Sequence, residues 1–243
     1  MNKLLVLYRA CGKELKQEEF KPQRVSYFNK LKTWQSFING GFYNNKDVDI
    51  KVIWDGPENW FTDHIKNRQN LTFVPVNYKS NKGSLDYCFQ ILNQESKNYE
   101  FGSIIEEDHF YLPGSCDVLF EGLNAFYPHF VALADHLDRY KINNGDIITT
   151  DGIFITKSKH WRTAESSVLS VSFPMETFQK FKNDMIHYNS KGVDAMHERE
   201  FFRSIIPKGY RLFTPIPAMS THAVISDLSP CINWEKFVET IQL

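Results

Sequence analysis

Three consecutive acids, Glu106, Glu107 and Asp108, stand between an apolar run and a Pro-Gly turn in the stretch GSIIEEDHFYLPG. Carboxylates crowded at the end of a buried strand repel one another and lose hydration, so a divalent cation among them would stabilise the cluster. Oxygen ligands on a short loop suit Mg²⁺ or Mn²⁺. The alternative is that Glu106 and Glu107 are the start of a solvated loop.

The elements that would position these acids alternate in an α/β pattern. Apolar, β-rich runs predict strands at 3–8, 49–54 and 71–76, and a helical period precedes the acids at 84–95. Three strand-to-helix units would bring the carboxyl ends of parallel strands to one sheet edge, which is where open α/β sheets bind ligands. We therefore expect the acids to lie at a binding edge.

After residue 115 the pattern becomes mixed, with helices predicted at 175–188 and 194–206 and a long, partly polar loop at 157–175. No linker, repeat or low-complexity tract divides the chain. We expect one domain with a mixed central sheet flanked by helices. Its two halves would be about 1–112, which binds a nucleotide, and about 113–243, which binds an acceptor.

Composition excludes several classes of protein. The chain has 243 residues, 42% of them hydrophobic, so it can bury a large core. Its 28 basic and 29 acidic residues nearly cancel, so no overall charge indicates a nucleic-acid or membrane partner. The four cysteines are widely spaced without a CxxC pair, which favours reduced thiols and a cytoplasmic location. No run approaches the roughly 18 apolar residues of a membrane span, and charge appears too early for a signal peptide.

The apolar strand, the acidic triplet and the aromatic-Leu-Pro-Gly turn together resemble the DxD region of GT-A-type glycosyltransferases. The triplet stands where that family has Asp-x-Asp, although its first position here is Glu106. Further stretches follow the family's order along the first half of the chain, where the resemblance is densest. They are Tyr8-Arg9 at the end of the first strand, Trp54-Asp55-Gly56 at the end of the second, and Asn81-Lys82-Gly83-Ser84 before the helix that precedes the acids.

The resemblance implies a metal-dependent enzyme that transfers a sugar from a nucleotide diphosphate, a UDP-sugar in particular. The donor nucleotide would be contacted by Tyr8, Arg9, Asp55, Lys82 and Glu106. In this scheme Tyr8 lies near the base, Asp55 recognises the base edge, and Lys82 lies near ribose and phosphate. For Asp55 and Lys82 the alternatives are a turn former and a solvated lysine.

Many GT-A enzymes take a further metal ligand from a C-terminal histidine, and His222 follows the segment PIPAMST in a similar place. The resemblance thus implies a metal held by Asp108 and His222, which acts as a Lewis acid on the departing diphosphate. Carboxylate plus imidazole favours Mn²⁺, with Mg²⁺ as the other choice. We predict that the two side chains lie close together, although a lone histidine is more often structural.

An inverting enzyme also needs a carboxylate that deprotonates the acceptor. The candidates are Asp151 in TTDGIFIT, and Asp194 and Glu198 in VDAMHEREFF. Asp194 is equally suited to cap a helix, and Glu198 would be favourable in its first turn without any catalytic role. A retaining mechanism would need none of the three as a base.

The acceptor is left open by the sequence. The C-terminal block loosely resembles the endings of bacteriophage glycosyltransferases, which makes a hydroxymethylated pyrimidine in phage DNA one possible acceptor, with KSKHWR and KGYR as candidate phosphate contacts. A soluble polymer, a protein or a lipid-linked intermediate are others. Two other functions also stay open. They are a non-catalytic GT-A-like module that binds a nucleotide or glycan, and a sugar nucleotidylyltransferase, although the loop RACGKELKQEEFKPQR has only one glycine.

Overall fold

The structure is a computed structural model that describes residues 3–12, 23–66, 68, 71–136, 140, 152–192 and 195–243. The strands are β1 (Leu4–Cys11), β2 (Val48–Asp55), β3 (Leu71–Val76), β4 (Phe101–Glu106), β5 (His109–Tyr111), β6 (Phe130–Val131), β7 (Ile153–Ile155), β8 (His160–Ala164), β9 (Val171–Pro174), β10 (Leu212–Ile216) and β11 (Ser220–His222). The α-helices are α1 (Lys30–Asn39), α2 (Trp60–Lys66), α3 (Asn81–Glu95), α4 (Ser115–Ala125), α5 (Met175–Lys191), α6 (Glu198–Ile205) and α7 (Trp234–Glu239).

Within the described residues, a nine-stranded mixed sheet has the order β3-β2-β1-β4-β9-β6-β10-β8-β7. The first four of these strands are parallel to one another, and α1, α2 and α3 lie between them along the chain. Their registers place Cys11 opposite Asp55 and Arg9 opposite Glu106. The carboxyl ends of β1, β2 and β4 therefore meet at one edge, as the strand-to-helix pattern predicts.

The second half of the sheet is mixed. Strand β9 is antiparallel to β4 and β6, β10 is parallel to β6, and β8 is antiparallel to β10. The prediction of one long loop at 157–175 is wrong, because β8 and β9 lie in this stretch. Their polar residues, such as Arg162 and Ser172, are buried within the sheet and hide the apolar signal of a strand.

Apolar side chains pack on both faces of the sheet. Alternate residues of β1 point to opposite faces, so Val6 and Tyr8 pack with Trp34 of α1, while Leu5 and Leu7 pack with residues of α3, α5 and α6. Both layers consist mainly of buried aromatic and aliphatic side chains. The predicted α/β architecture, a mixed central sheet flanked by helices, is confirmed.

A smaller antiparallel pair, β5 with β11, connects the acidic stretch to the C-terminal part of the chain. Its register places His222 opposite His109, next to Asp108. Among the described residues, every helix is too short or too polar to cross a lipid bilayer.

Candidate active site

A cavity of about 410 Å³ opens where the carboxyl ends of β1, β2 and β4 meet the start of α3. Clefts of this size hold nucleotide-sized ligands. The charged residues that line the cavity are Arg9, Arg24 and Lys79, which are basic, and Asp55, Glu106, Glu107 and Asp108, which are acidic.

Arg9 joins three elements of the cavity wall, although its side chain is only 5% exposed. The guanidinium pairs with Glu106 at the end of β4. It also donates to the Asn81 carbonyl at 2.7 Å and to the Ser84 hydroxyl at 2.9 Å, both in the first turn of α3. These contacts hold the start of α3 against the ends of β1 and β4.

Asp55 ends β2 and holds the connection that leads into α3. Its two carboxylate oxygens accept the backbone N–H of Lys79 at 2.9 Å and of Ser80 at 3.2 Å. Ser80 in turn caps α3, because its hydroxyl accepts the Gly83 N–H at 3.0 Å. Asp55 therefore shapes the cavity, and its recognition of a base edge stays a prediction.

Each acid of the triplet has a basic partner from another part of the chain. Glu106 pairs with Arg9. Lys30 of α1 lies 3.1 Å from Glu107, and Arg24 lies 3.0 Å from Asp108. These pairs neutralise the cluster. The crowding of three carboxylates therefore does not by itself require a metal ion, contrary to the expectation from the sequence.

Strand β11 brings His222 into contact with Asp108, although 114 positions separate them in sequence. His222 Nε2 lies 3.0 Å from Asp108 Oδ2, and His222 Nδ1 lies 2.8 Å from Asp227 Oδ2. Burial raises the pKa of the Asp227 carboxyl, but the hydrogen bond and charge of His222 lower it more, so that this pKa is about 2. The predicted proximity is observed, and the role of the pair as metal ligands stays a prediction.

The Asp108–His222 pair is compatible with a divalent cation. When Nδ1 donates to Asp227, Nε2 and Asp108 Oδ2 are two acceptors that face each other, so a proton or a cation must lie between them. Metal-bound histidines commonly donate their other ring nitrogen to a carboxylate, as His222 can to Asp227. In the described part of the chain no three Asp, Glu, His or Cys residues are placed to hold a metal. A bound ion would therefore take further ligands from phosphate and water.

Two residues predicted to contact the nucleotide lie elsewhere. Tyr8 is 1% exposed and packs in the core against Trp34, at 4.9 Å between ring centroids. It alternates with Arg9 along β1 and so faces the opposite side of the sheet. Lys82 extends outward and donates to the Ser190 carbonyl at 3.1 Å. Neither side chain lines the cavity, whereas Cys11 and Lys79 do.

Of the three candidate bases, Asp151 and Asp194 lie outside the described residues. Glu198 begins α6, and its carboxylate accepts the Ser167 N–H at 2.7 Å and the Ser166 hydroxyl at 3.1 Å. These serines belong to the connection between β8 and β9, in which the Ser170 hydroxyl accepts the Glu106 N–H at 3.2 Å. Glu198 is thus linked to the acidic triplet through one short connection.

Three basic residues of the two candidate phosphate-contact stretches are engaged within the protein. Arg162 of KSKHWR is buried and donates to Asp135 at 2.6 Å and 2.9 Å. In KGYR, Lys208 pairs with Asp184 at 2.8 Å, and Arg211 donates to the Ile206 carbonyl at 2.9 Å. Lys157 of KSKHWR is exposed, and contact of the two stretches with a nucleic-acid backbone stays a prediction.

Three residues of the site, Arg24, Lys30 and Asp227, were not predicted from the sequence. Arg24 reaches Asp108 because it forms an isolated antiparallel bridge with Val224, two residues after His222. Such a long-range pairing has no local signature. For Asp227 the sequence offered one signal, its position five residues after His222. A carboxylate close to a candidate metal ligand often orients that ligand.

No protein-family profile matches this sequence, and no curated protein matches it. Solved structures do match it. A protein from Desulfovibrio desulfuricans G20 assigned as a nucleotide-diphospho-sugar transferase is 10% identical with a TM-score of 0.50, covering 88% of this chain and 80% of its own. The 4-diphosphocytidyl-2C-methyl-D-erythritol synthase of Anaerococcus prevotii DSM 20548 is 12% identical with a TM-score of 0.50, covering 98% and 94%.

Residues 1–349 of S. aureus TarS in complex with UDP-GlcNAc also match, at 12% identity and a TM-score of 0.50. The match covers 87% of this chain but only 55% of that TarS fragment. At these identities the likeness concerns the fold and not the activity. The chain therefore has the mixed α/β fold of the nucleotide-diphospho-sugar transferases.

Proposed function

We propose that this protein is a metal-dependent glycosyltransferase that moves a sugar from a nucleotide diphosphate, a UDP-sugar in particular, to a hydroxyl group. The observation that carries the proposal is the contact of Asp108 with His222 at 3.0 Å beside a charged cavity at the strand ends. The fold that it shares with TarS, which was solved with UDP-GlcNAc, supports the choice of donor.

In this proposal the nucleotide lies along the ends of β1, β2 and β4. Asp55 faces the base, and the basic side chains of Arg24 and Lys79 face the diphosphate. Arg9 and Glu106 hold the start of α3, whose N-terminal N–H groups favour an anionic ligand. Tyr8 supports the cavity from the core side and contacts no ligand, because it is buried among aromatic side chains.

A Mn²⁺ or Mg²⁺ ion, when bound, supplies Lewis-acid stabilisation of the departing nucleoside diphosphate. Asp108 and His222 would hold it, and Asp227 orients the His222 ring. The acceptor oxygen forms a bond to the anomeric carbon while the bond from that carbon to the diphosphate oxygen breaks. Glu198 takes the acceptor's proton in an inverting reaction, and Asp151 and Asp194 are the other candidates for this role.

The test is a thermal-shift screen of sugar nucleotides, with and without Mn²⁺, on the wild type and two variants. Asp108→Asn removes the proposed ligand, and Asp117→Asn, at an exposed position of α4, is the matched control. A donor at about 100 times its dissociation constant stabilises the folded state by roughly 2.7 kcal/mol. We expect a Mn²⁺-dependent shift in the wild type and the control but not in Asp108→Asn. The proposal fails if no sugar nucleotide shifts the wild type under either condition.

Nucleotidyl transfer is the second candidate, because the synthase from Anaerococcus prevotii shares the fold over 98% of this chain. The two reactions release different products. Incubation with a nucleoside triphosphate and a sugar phosphate would yield pyrophosphate in the second case, whereas a glycosyltransferase releases a nucleoside diphosphate from the sugar nucleotide. A protein that binds sugar nucleotides and turns over neither mixture would be a non-catalytic binding module.

For the acceptor, we propose a test of hydroxymethylated DNA, the candidate that the loose phage resemblance raised. Oligonucleotides that carry hydroxymethylated or unmodified cytosine are incubated with the donor identified above. Transfer to the modified strand alone would support the DNA acceptor. Transfer to neither, together with turnover on a soluble glycan or protein, would reject it.

A further inference from the structure

Arg24 is held rigidly beside the strand that carries the candidate metal ligand. Its backbone bridges Val224, and the Val25 N–H donates to the Ala223 carbonyl at 3.2 Å. The side chain is only 7% exposed, and its guanidinium lies 4.4 Å above the centre of the Phe28 ring. Arg24 therefore reaches the site from a fixed backbone.

Arg24 and His222 share one oxygen of Asp108. Arg24 Nη1 and His222 Nε2 each lie 3.0 Å from Asp108 Oδ2. A cation bound by Asp108 and His222 would take the place of the proton between Nε2 and Oδ2, so His222 would stay in contact with it. Arg24 has the same sign of charge as the cation and shares this oxygen, so Arg24 is the partner that leaves.

Electrostatics favour the same exchange. A divalent ion at Asp108 would stand a few ångströms from the guanidinium in a largely buried site, where like charges repel strongly. The planar fork of arginine matches the paired oxygens of a phosphate, and Arg24 already lines the cavity. Arg9, the other arginine in the wall, is committed to Glu106, Asn81 and Ser84.

We propose that Arg24 neutralises Asp108 in the ligand-free protein and moves to the donor's diphosphate when a divalent cation binds Asp108 and His222. This inference rests on the proposed function. It assigns two successive roles to one side chain, and they have opposite consequences for binding. Arg24 opposes the metal when the nucleotide is absent, and it favours the nucleotide once the metal is present.

The test measures these two affinities separately. Free Mn²⁺ is followed by electron paramagnetic resonance during titration of the protein without nucleotide, and UDP is then titrated calorimetrically at saturating Mn²⁺. Arg24→Gln should bind Mn²⁺ roughly tenfold more tightly than the wild type, because a competing positive charge is gone. It should bind UDP roughly tenfold more weakly, because the charge-assisted fork is lost.

Arg24→Lys keeps the charge and removes the fork. It should match the wild type in Mn²⁺ affinity within about twofold and still lose UDP affinity. Should Arg24→Gln fail to fold, as judged by circular dichroism, the Arg24→Lys result decides the question. Arg68→Gln is the matched control, since Arg68 also lies over an aromatic ring, Tyr43 at 5.3 Å, but does not line the cavity. It should change neither affinity.

The outcomes separate this inference from the proposed function. If the wild type binds Mn²⁺ and UDP and Arg24→Gln changes neither affinity, the exchange is rejected and the glycosyltransferase proposal stands. A variant that loses UDP without gaining Mn²⁺ affinity also rejects the exchange. If the wild type binds neither ligand, both proposals fall together.

Discussion

Cys11 lies in the cavity wall between two charged side chains. Its thiol donates to Glu107 Oε1 at 3.1 Å, and Lys30 Nζ lies 3.6 Å from its sulfur. Cys11 is partly exposed in the cavity wall, so a small electrophile can reach its sulfur. We predict that iodoacetamide labels Cys11 and the exposed Cys231 in the native protein at neutral pH, and that a bound donor nucleotide slows the labelling of Cys11 alone. Mass spectrometry of the peptides measures both rates.

The other two cysteines supply the control. Cys88 and Cys116 are buried, and burial raises the pKa of each thiol to about 12. Both should stay unlabelled until the protein is unfolded. Because the folded state keeps these protons, they contribute stability that is complete below the ordinary thiol pKa and is lost as the pH rises toward 12. Equal labelling of all four cysteines in the native state would contradict this account of the cavity.

The residues with a distinctive chemistry could be predicted from the sequence, and their partners could not. Asp55 and Arg9 follow apolar runs, and Asp108 belongs to an acidic triplet. The neighbouring sequence is therefore enough to mark each of them as a candidate site residue. Arg24 and Lys30 are ordinary basic residues until the fold places them beside Asp108 and Glu107. The neutralisation of the triplet depends on contacts across 84 positions for Arg24, which no local pattern encodes.

At the scale of elements, Asp55 connects the end of β2 to the start of α3. Substitution Asp55→Ala leaves the Lys79 and Ser80 N–H groups without this carboxylate, and we expect a loss of about 2 kcal/mol in the free energy of unfolding. Donor affinity should fall with it, because the start of α3 lines the cavity. Urea denaturation and calorimetric titration measure the two effects.

The control for Asp55 lies on the same strand. Asp49 is exposed and accepts a surface hydrogen bond from the Tyr99 hydroxyl at 2.8 Å. Asp49→Ala should cost less than about 1 kcal/mol and leave donor affinity unchanged. Equal effects of the two substitutions would mean that Asp55 does not shape the cavity.

The connection between β8 and β9 contains two consecutive residues in the left-handed region, Val168 at φ 51° and Leu169 at φ 60°. This conformation costs an L-residue roughly 1–2 kcal/mol, and glycine adopts it freely. Since the same connection holds Glu198, we predict that Val168→Gly raises the free energy of unfolding by up to about 1 kcal/mol yet lowers the rate of sugar transfer.

Leu169→Gly is the comparison, because the Leu169 side chain also packs against the core cluster beneath α3 and α5. Lost packing should outweigh the relief of strain, so this variant is expected to be less stable than the wild type. If Val168→Gly is destabilised as much as Leu169→Gly, the strain at this connection is not the dominant effect.

Strand prediction succeeded where the apolar signal was continuous and failed where it was interrupted. The buried parallel strands β1, β2 and β4 are apolar runs and were predicted. Strands β8 and β9 contain Arg162, Thr163 and Ser172, which are buried with polar partners, so their stretch resembled a loop. The prediction that Tyr8 lies in the cavity beside Arg9 overlooked that adjacent residues of a strand face opposite sides of the sheet.

At the scale of the molecule, the two halves expected at 1–112 and 113–243 share one sheet. Strand β9 of the second half pairs with β4 of the first, and β11 pairs with β5. We therefore predict a single cooperative transition in differential scanning calorimetry, with equal calorimetric and van't Hoff enthalpies. A fragment of residues 1–112 should show no cooperative unfolding. Two resolved transitions of the full chain would show that the halves are independent domains.

The pairing of β5 with β11 also has a consequence for biosynthesis. Asp108 leaves the ribosome 114 residues before His222. At roughly 5–20 residues per second, this delay lasts on the order of 6–23 seconds. During that interval the nascent chain presents its acids without the histidine and without the segment at 223–225 that fixes Arg24. On the proposed function, metal-dependent donor capture by ribosome-bound chains would therefore begin only after β11 has emerged.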